Sequence, residues 1–240
     1  MPHSGEAGRG RDGRSCLHIL SRRPVIHLTA VSELTESATA TNLHGATAGI
    51  VEALVRALEL HDYRRGTFGE SAAHAERVTK LACRLTERVA PELASDPGIE
   101  AGFRLHDIGM IGIPAHVLSK PATLTPDELS EIREHPWLGE RIVAPVDFLN
   151  GLARHVIGCH HERWDGSGYP RSLRGAEIPL PARIFAVADA YDAMTNQQPY
   201  RQPLTPDAAV GEIEAKAGSH FDPQVVAALV AWHGERPAAT

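Results

Sequence analysis

The chain has 240 residues, 42% of them hydrophobic and 22% charged, an ordinary globular composition that excludes collagen-like, coiled-coil and wholly disordered classes. Its 24 Lys and Arg against 30 Asp and Glu give a net charge of −6, which repels a nucleic-acid backbone, so DNA is not an expected partner. No apolar run approaches the roughly 20 residues of a membrane span, and Cys16, Cys83 and Cys159, odd in number and without CxxC spacing, read as reduced thiols of a cytoplasmic protein.

Residues 1–41 are rich in Gly, Arg, Ser and Thr, carry no period of 2 or 3.6, and read as a flexible N-terminal tail. From about Asn42 the spacing of Ile50, Leu54 and Leu58, flanked by Val51 and Val55, predicts an amphipathic leading helix. Its apolar stripe suits packing on its own domain and pairing with a second copy equally well. A second helix is expected over Gly69–Val89 and a third over Pro97–Ile108, ending at His106-Asp107 where Gly109, Gly112 and Pro114 break regularity.

Thr125-Pro126-Asp127-Glu128 reads as an N-cap followed by a proline and acidic first turn. Further helical patterns cover Pro136–Val143, Leu149–His161, Pro181–Met194, Pro206–Ala217 and Pro223–His233, with no sustained strand alternation, so the fold class is all-α. The domain is expected to span 42–236, with 237–240 as a C-terminal tail. Between His161 and Pro181 lies an irregular stretch whose Gly166 and Gly168 permit turns and whose Trp164 and Tyr169 offer stacking faces.

The 14 histidines are unevenly placed. Glu70/His74, His106-Asp107, His135, His160-His161 and Asp189 put metal-competent groups at helix ends or on helix faces. Imidazoles and carboxylates without thiolates favour iron, manganese or similar first-row ions over structural zinc. Singly, most of these residues read as hydrogen-bonded boundary groups or caps. Asp189 differs, because an ionised carboxylate inside Phe185-Ala-Val-Ala-Asp-Ala-Tyr191 is costly unless paired or bound to a metal.

From about Leu54 to Val230 the chain resembles the HD-GYP subgroup of HD-domain metal-dependent phosphohydrolases. The resemblance rests on His74-Ala-Glu-Arg-Val78, on His106-Asp107-Ile-Gly109 with Ile111-Gly-Ile-Pro114, and on His135-Pro136 with Gly139. It continues in His160-His-Glu-Arg-Trp-Asp-Gly-Ser-Gly-Tyr-Pro170 and Ala188-Asp-Ala-Tyr-Asp-Ala-Met-Thr195. It implies a helical HD-domain bundle with a GYP loop and additional C-terminal helices. It also implies two or three metal ions, iron or alternatively manganese, and hydrolysis of cyclic di-GMP to linear pGpG and/or GMP by a metal-activated hydroxide attacking phosphorus.

The resemblance makes Glu70, His74, His106, Asp107, His135, His160, His161 and Asp189 the expected metal ligands, with His106 and Asp107 the catalytic pair. Glu70, four residues before His74, belongs to the pattern of members with a third metal. Tyr169 and Trp164 are expected to shape the guanine pocket, Arg183 and Arg201 to contact phosphate, Asp192 to orient a ligand histidine and Glu162 to hydrogen-bond a ligand. A helix-borne Arg such as Arg183 also commonly pairs with a carboxylate.

Two positions depart from the family. Met110 stands where the family usually has Lys, and Gln198 where it commonly has Arg, so two charged contacts to substrate are missing. Three readings follow: the phosphodiesterase, a catalytically weak or inactive cyclic-dinucleotide receptor or partner-binding module, and a hydrolase of another phosphodiester or nucleotide. Residues 1–41 are too short for a sensory domain, so input control is expected from elsewhere or is absent, with a homodimer or a signalling-protein partner as the candidate partners.

Overall fold

The computed structural model describes residues 45–62, 70–196 and 202–235, and the side chains of Glu70 and Ser71 lie outside that description. The described residues belong to one compact unit within His44–Thr240. The expected tails, 1–41 and 237–240, fall outside them, as do Gln198 and Arg201. Among the described residues every regular element is helical, and the only pairing of extended backbone is an isolated bridge between Ala217 and Phe221.

The α-helices in chain order are α1 (45–62), α2 (Glu70–Val89), α3 (Pro97–Arg104), α4 (Ala115–Leu118), α5 (Pro126–Ile132), α6 (His135–Val143), α7 (Leu152–Cys159), α8 (Leu180–Thr195), α9 (Pro206–Glu214) and α10 (Pro223–Gly234). Four share one start: a capping side chain followed directly by proline. Asp96, Thr125, Thr205 and Asp222 accept from the backbone N–H of Gly98, Glu128, Ala208 and Gln224 at 2.7, 3.3, 3.3 and 2.8 Å. Each cap satisfies an otherwise orphaned donor at about 1 kcal/mol, while the proline costs nothing where no intrahelical N–H bond is needed. Glu128 returns a bond to the Thr125 N–H at 2.7 Å, completing a capping box.

Two apolar clusters hold the helices together. The larger joins α2, α3, α8, α9 and α10 through Val78, Leu85, Phe103, Phe185, Ile213 and Leu229. The second gathers Leu105, Ile108, Val143, Leu149 and Ile157, and Val51 of α1 is buried in it with Leu54, Val55 and Leu58 alongside. The leading helix thus lays most of its stripe on its own domain, and Arg104 bonds Glu52 at 2.9 Å. Ile50 and Leu60 remain exposed.

Helix α3 stops at Arg104, four residues short of the expected end, and a 3-10 turn follows over Ile108–Gly112. Gly109 lets that turn seat directly on α6. A Cβ there would lie 1.9 Å from the His135 carbonyl oxygen and 2.5 Å from the Gly139 nitrogen, so the turn presses backbone to backbone onto α6. The stretch expected as one helix over Leu149–His161 is divided into a 3-10 turn, Asp147–Leu149, and α7, which starts after Gly151.

Candidate metal centre

His106 and Asp107 sit where the chain leaves α3. Nδ1 of His106 bonds the Phe103 carbonyl at 3.0 Å, leaving Nε2 facing Asp107 Oδ2 at 3.3 Å. At the first residue of α6, His135 repeats the device: Nδ1 to the Ile132 carbonyl at 2.8 Å, Nε2 toward Asp107 Oδ1 at 3.3 Å. At the end of α7, His160 Nδ1 meets the carbonyls of Val156 and Ile157 at 3.2 and 3.1 Å, and its Nε2 lies 3.6 Å from Asp107 Oδ1. In each case the backbone carbonyl accepts from Nδ1, which turns Nε2 toward Asp107.

His161 completes the group, its ring centroid 4.1 Å from that of His160 and 5.0 Å from that of His135. One donor atom from each of Asp107, His135, His160 and His161 falls within 4.8 Å of the others. Burial pushes the His135 imidazole down to about 4, with His160 adding to the effect against the pull of Asp107. Burial, His160 and His135 push His161 down to about 2. Both rings are therefore neutral at pH 7, the form that binds a metal. Burial opposes ionisation of Asp107, yet His106 and His160 outweigh it and hold the carboxyl well below its usual range.

Beneath these rings lies Phe185 of α8, with centroids 4.6 Å from His106 and 5.9 Å from His160. It forms an apolar floor that excludes water from one side.

A second group stands beside the first, the His74 ring 5.9 Å from that of His106. Packing of α2 on α8 sets His74 Nε2 3.2 Å from Asp189 Oδ1, and Nδ1 2.7 Å from Asp192 Oδ2. Burial lowers the His74 pKa, but hydrogen bonds to Asp189 and Asp192 outweigh it and raise it to about 10. Asp192, buried on α8, also takes two bonds from Arg77 at 2.7 and 2.9 Å and one from Asn196 Nδ2 at 2.8 Å. Arg77 and Asn196 were not singled out from sequence. Their signals were spacing alone: Arg77 follows His74 by three residues, and Asn196 follows Asp192 by four.

The donor set fits first-row metal ions. Nε2 of His135 and Nε2 of His160 lie 3.2 Å apart and both face Asp107 Oδ1, so three donor atoms surround one point that a shared cation fits. Seven of the eight expected ligands have described side chains, and they occupy these two adjoining groups. Glu70 lies one turn before His74 on α2, its side chain outside the described residues.

In the loop after α7 and at the start of α8, two of the expected contact residues meet protein partners. Glu162, buried, accepts from the backbone N–H of Arg171 at 2.7 Å and of Leu173 at 3.1 Å, so its carboxylate organises the loop rather than a ligand. Arg183 donates to the Ile178 carbonyl at 2.8 Å and to Asp222 Oδ2 at 2.5 Å, with its guanidinium 5.7 Å from the Trp164 centroid. It is a carboxylate-paired clamp rather than an open phosphate contact, and Trp164 is its stacking partner. Backbone bonds from Trp164 to His220 and from Asp165 to Ser219 dock the loop on the segment before α10.

Tyr169 faces the centre. Its ring stacks on His161 at 4.7 Å and 24°, and burial and Asp107 push its hydroxyl up to about 12. Met110 is half-buried in the turn after Asp107.

A family model described as HD domain matches residues 66–225. The chain is 41% identical over 162 residues to the cyclic di-GMP phosphodiesterase of Thermotoga maritima, covering 67% of this chain and 44% of that one. It is 39% identical over 184 residues to the cyclic di-GMP phosphodiesterase response regulator RpfG of Xanthomonas campestris, 74% of this chain and 46% of the relative. With the 3'3'-cGAMP-specific phosphodiesterase 2 of Vibrio cholerae it shares 35% over 162 residues, 67% of this chain and 31% of the relative. The chain spans less than half the length of these curated relatives. The solved structure of Bd1817, an HDG"Y"P protein from Bdellovibrio bacteriovorus, superposes with a TM-score of 0.52 at 20% identity over 68% of this chain and 52% of that one, which shows a common fold. This chain belongs to the HD domain family.

Proposed function

We propose that this protein is a metal-dependent phosphodiesterase that hydrolyses cyclic di-GMP to linear pGpG and/or GMP. The observation that carries the reading is the convergence of three imidazoles on Asp107 beside the His74–Asp189 pair. His106, Asp107, His135, His160, His161, His74 and Asp189 would hold two first-row ions, iron or alternatively manganese, with Glu70 the candidate for a third. Such ions, when bound, neutralise phosphate oxygens and make water a better nucleophile at neutral pH.

The chain's own residues prepare that chemistry. Asp107 divides its oxygens, Oδ1 toward His135 and His160 and Oδ2 toward His106, so one carboxylate serves both sides of the centre. The Phe103, Ile132 and Val156 carbonyls accept from Nδ1 of their imidazoles and so aim each Nε2 at Asp107. Asp192, braced by Arg77, accepts from His74 Nδ1 and sets the direction of its ring. Phe185 excludes water from below, which strengthens every electrostatic interaction above it. The relatives' names support the substrate class, and the free thiols of Cys83 and Cys159 suit a cytoplasmic setting. No helix among the described residues is long and apolar enough to cross a membrane.

The test is anaerobic incubation of the protein with cyclic di-GMP and Fe(II) or Mn(II), followed by chromatography of linear dinucleotide and GMP, with 3'3'-cGAMP in parallel. The expected result is product that disappears, together with bound metal, in the His106→Ala/Asp107→Ala double variant. Metal-loaded protein that binds cyclic di-GMP and releases no product would overturn the enzyme reading in favour of a receptor. Turnover of 3'3'-cGAMP alone would overturn the assigned substrate.

A further inference from the structure

The described arginines near the centre divide by what they touch. Arg77, Arg171 and Arg183 are tied to Asp192, Glu140 and Asp222. Arg133 is not: among the described residues its guanidinium meets no carboxylate, and it lies over the ring of Tyr169, 5.4 Å from the centroid. That ring stacks in turn on His161. Arg133 is exposed and caps the end of α5 two residues before His135, so one short turn delivers both an imidazole of the centre and this cation to its rim.

A guanidinium held over an aromatic face keeps its N–H fork free at the edge and loses little freedom when it binds. That fork matches two oxygens of a phosphate. Met110, from the turn after Asp107, has no donor to offer. A cyclic dinucleotide carries two phosphates, and when one sits at the centre the other must be met outside it.

We propose that Arg133, set by Tyr169, grips the second, non-reacting phosphate of a cyclic dinucleotide at the mouth of the metal centre. The assignment rests on the phosphodiesterase reading above. Arg133 contributes binding common to ground and transition states, so its loss raises KM and leaves kcat little changed.

Arg133→Met and Arg133→Lys separate charge from the planar fork. Arg141, which lies over Trp137 at 4.8 Å, supplies a matched control in Arg141→Met. With cyclic di-GMP, Arg133→Met should raise KM about tenfold or more, Arg133→Lys less, and Arg141→Met not at all. With bis(4-nitrophenyl) phosphate, which has one phosphate, KM should be the same in all four proteins. Equal KM changes for both substrates, or none for cyclic di-GMP, would overturn the assignment.

Calorimetric titration of chelator-treated, metal-free protein with cyclic di-GMP reads the grip without turnover. A wild type that binds at least tenfold more tightly than Arg133→Met there supports the grip even if no hydrolysis is found. Equal affinities refute it.

Discussion

The Nε2 atoms of His135 and His160 face one another across 3.2 Å, both with Nδ1 committed to backbone carbonyls. Two imidazole nitrogens and the Asp107 carboxylate converging on one point make a site that a bound cation should stabilise. Adding Mn(II) at about 100 times its Kd should stabilise the fold by about 2.7 kcal/mol, a rise in Tm of roughly 5–10 °C for a domain of this size. Scanning calorimetry with and without chelator checks it. His160→Ala should abolish the increment.

Asp192 holds His74 from one side and Arg77 from the other. Asp192→Ala should weaken metal binding about 10- to 100-fold by freeing the His74 ring, while the Asp107 cluster keeps its own ion. Elemental analysis after dialysis against buffered metal should find the stoichiometry reduced rather than zero. Unchanged stoichiometry would remove Asp192 from the support of the centre.

Arg183 and the buried carboxylate of Asp222 form a pair whose loss strands a charge. Arg183→Met should destabilise the protein by about 3 kcal/mol in denaturant unfolding and leave the KM of the folded enzyme for cyclic di-GMP within about twofold. A large KM effect with intact stability would restore the phosphate contact read from the sequence.

Gly109 admits no side chain. A Cβ 1.9 Å from the His135 carbonyl forces the turn off α6, so Gly109→Ala should cost about 3 kcal/mol or more and lower metal content, because Asp107 and His135 move apart together. Thermal unfolding and metal analysis on the same sample test both halves.

Burial, with Glu100 and Glu87 adding to it, raises the Cys83 thiol to about 11. A raised thiol pKa means less thiolate at a given pH, so Cys83 should alkylate about 100-fold more slowly at pH 8 than an ordinary exposed thiol and accelerate as pH approaches 11. Site-resolved mass spectrometry of iodoacetamide labelling reads the rate.

Local chemistry was legible in the chain itself. Thr125-Pro126 and Thr205-Pro206 announce helix starts because a cap and its N–H partner are three residues apart, and the stripe of α1 is visible because helical periodicity is an i to i+4 property. The metal donors were legible as an inventory, since imidazole and carboxylate types without thiolates define the class of ion.

What those donors touch was decided only by tertiary packing. His74 meets Asp192 across 118 positions and His135 meets His160 across 25, distances at which no periodicity applies. The same packing gave Arg183 a buried carboxylate, turned Glu162 to the loop backbone and left Arg133 over Tyr169 with no carboxylate partner among the described residues. A charged side chain's partner depends on which surfaces the apolar clusters bring together. The sequence determined the groups available, and the packing of α2 on α8 and of the Gly109 turn on α6 determined which of them form the centre.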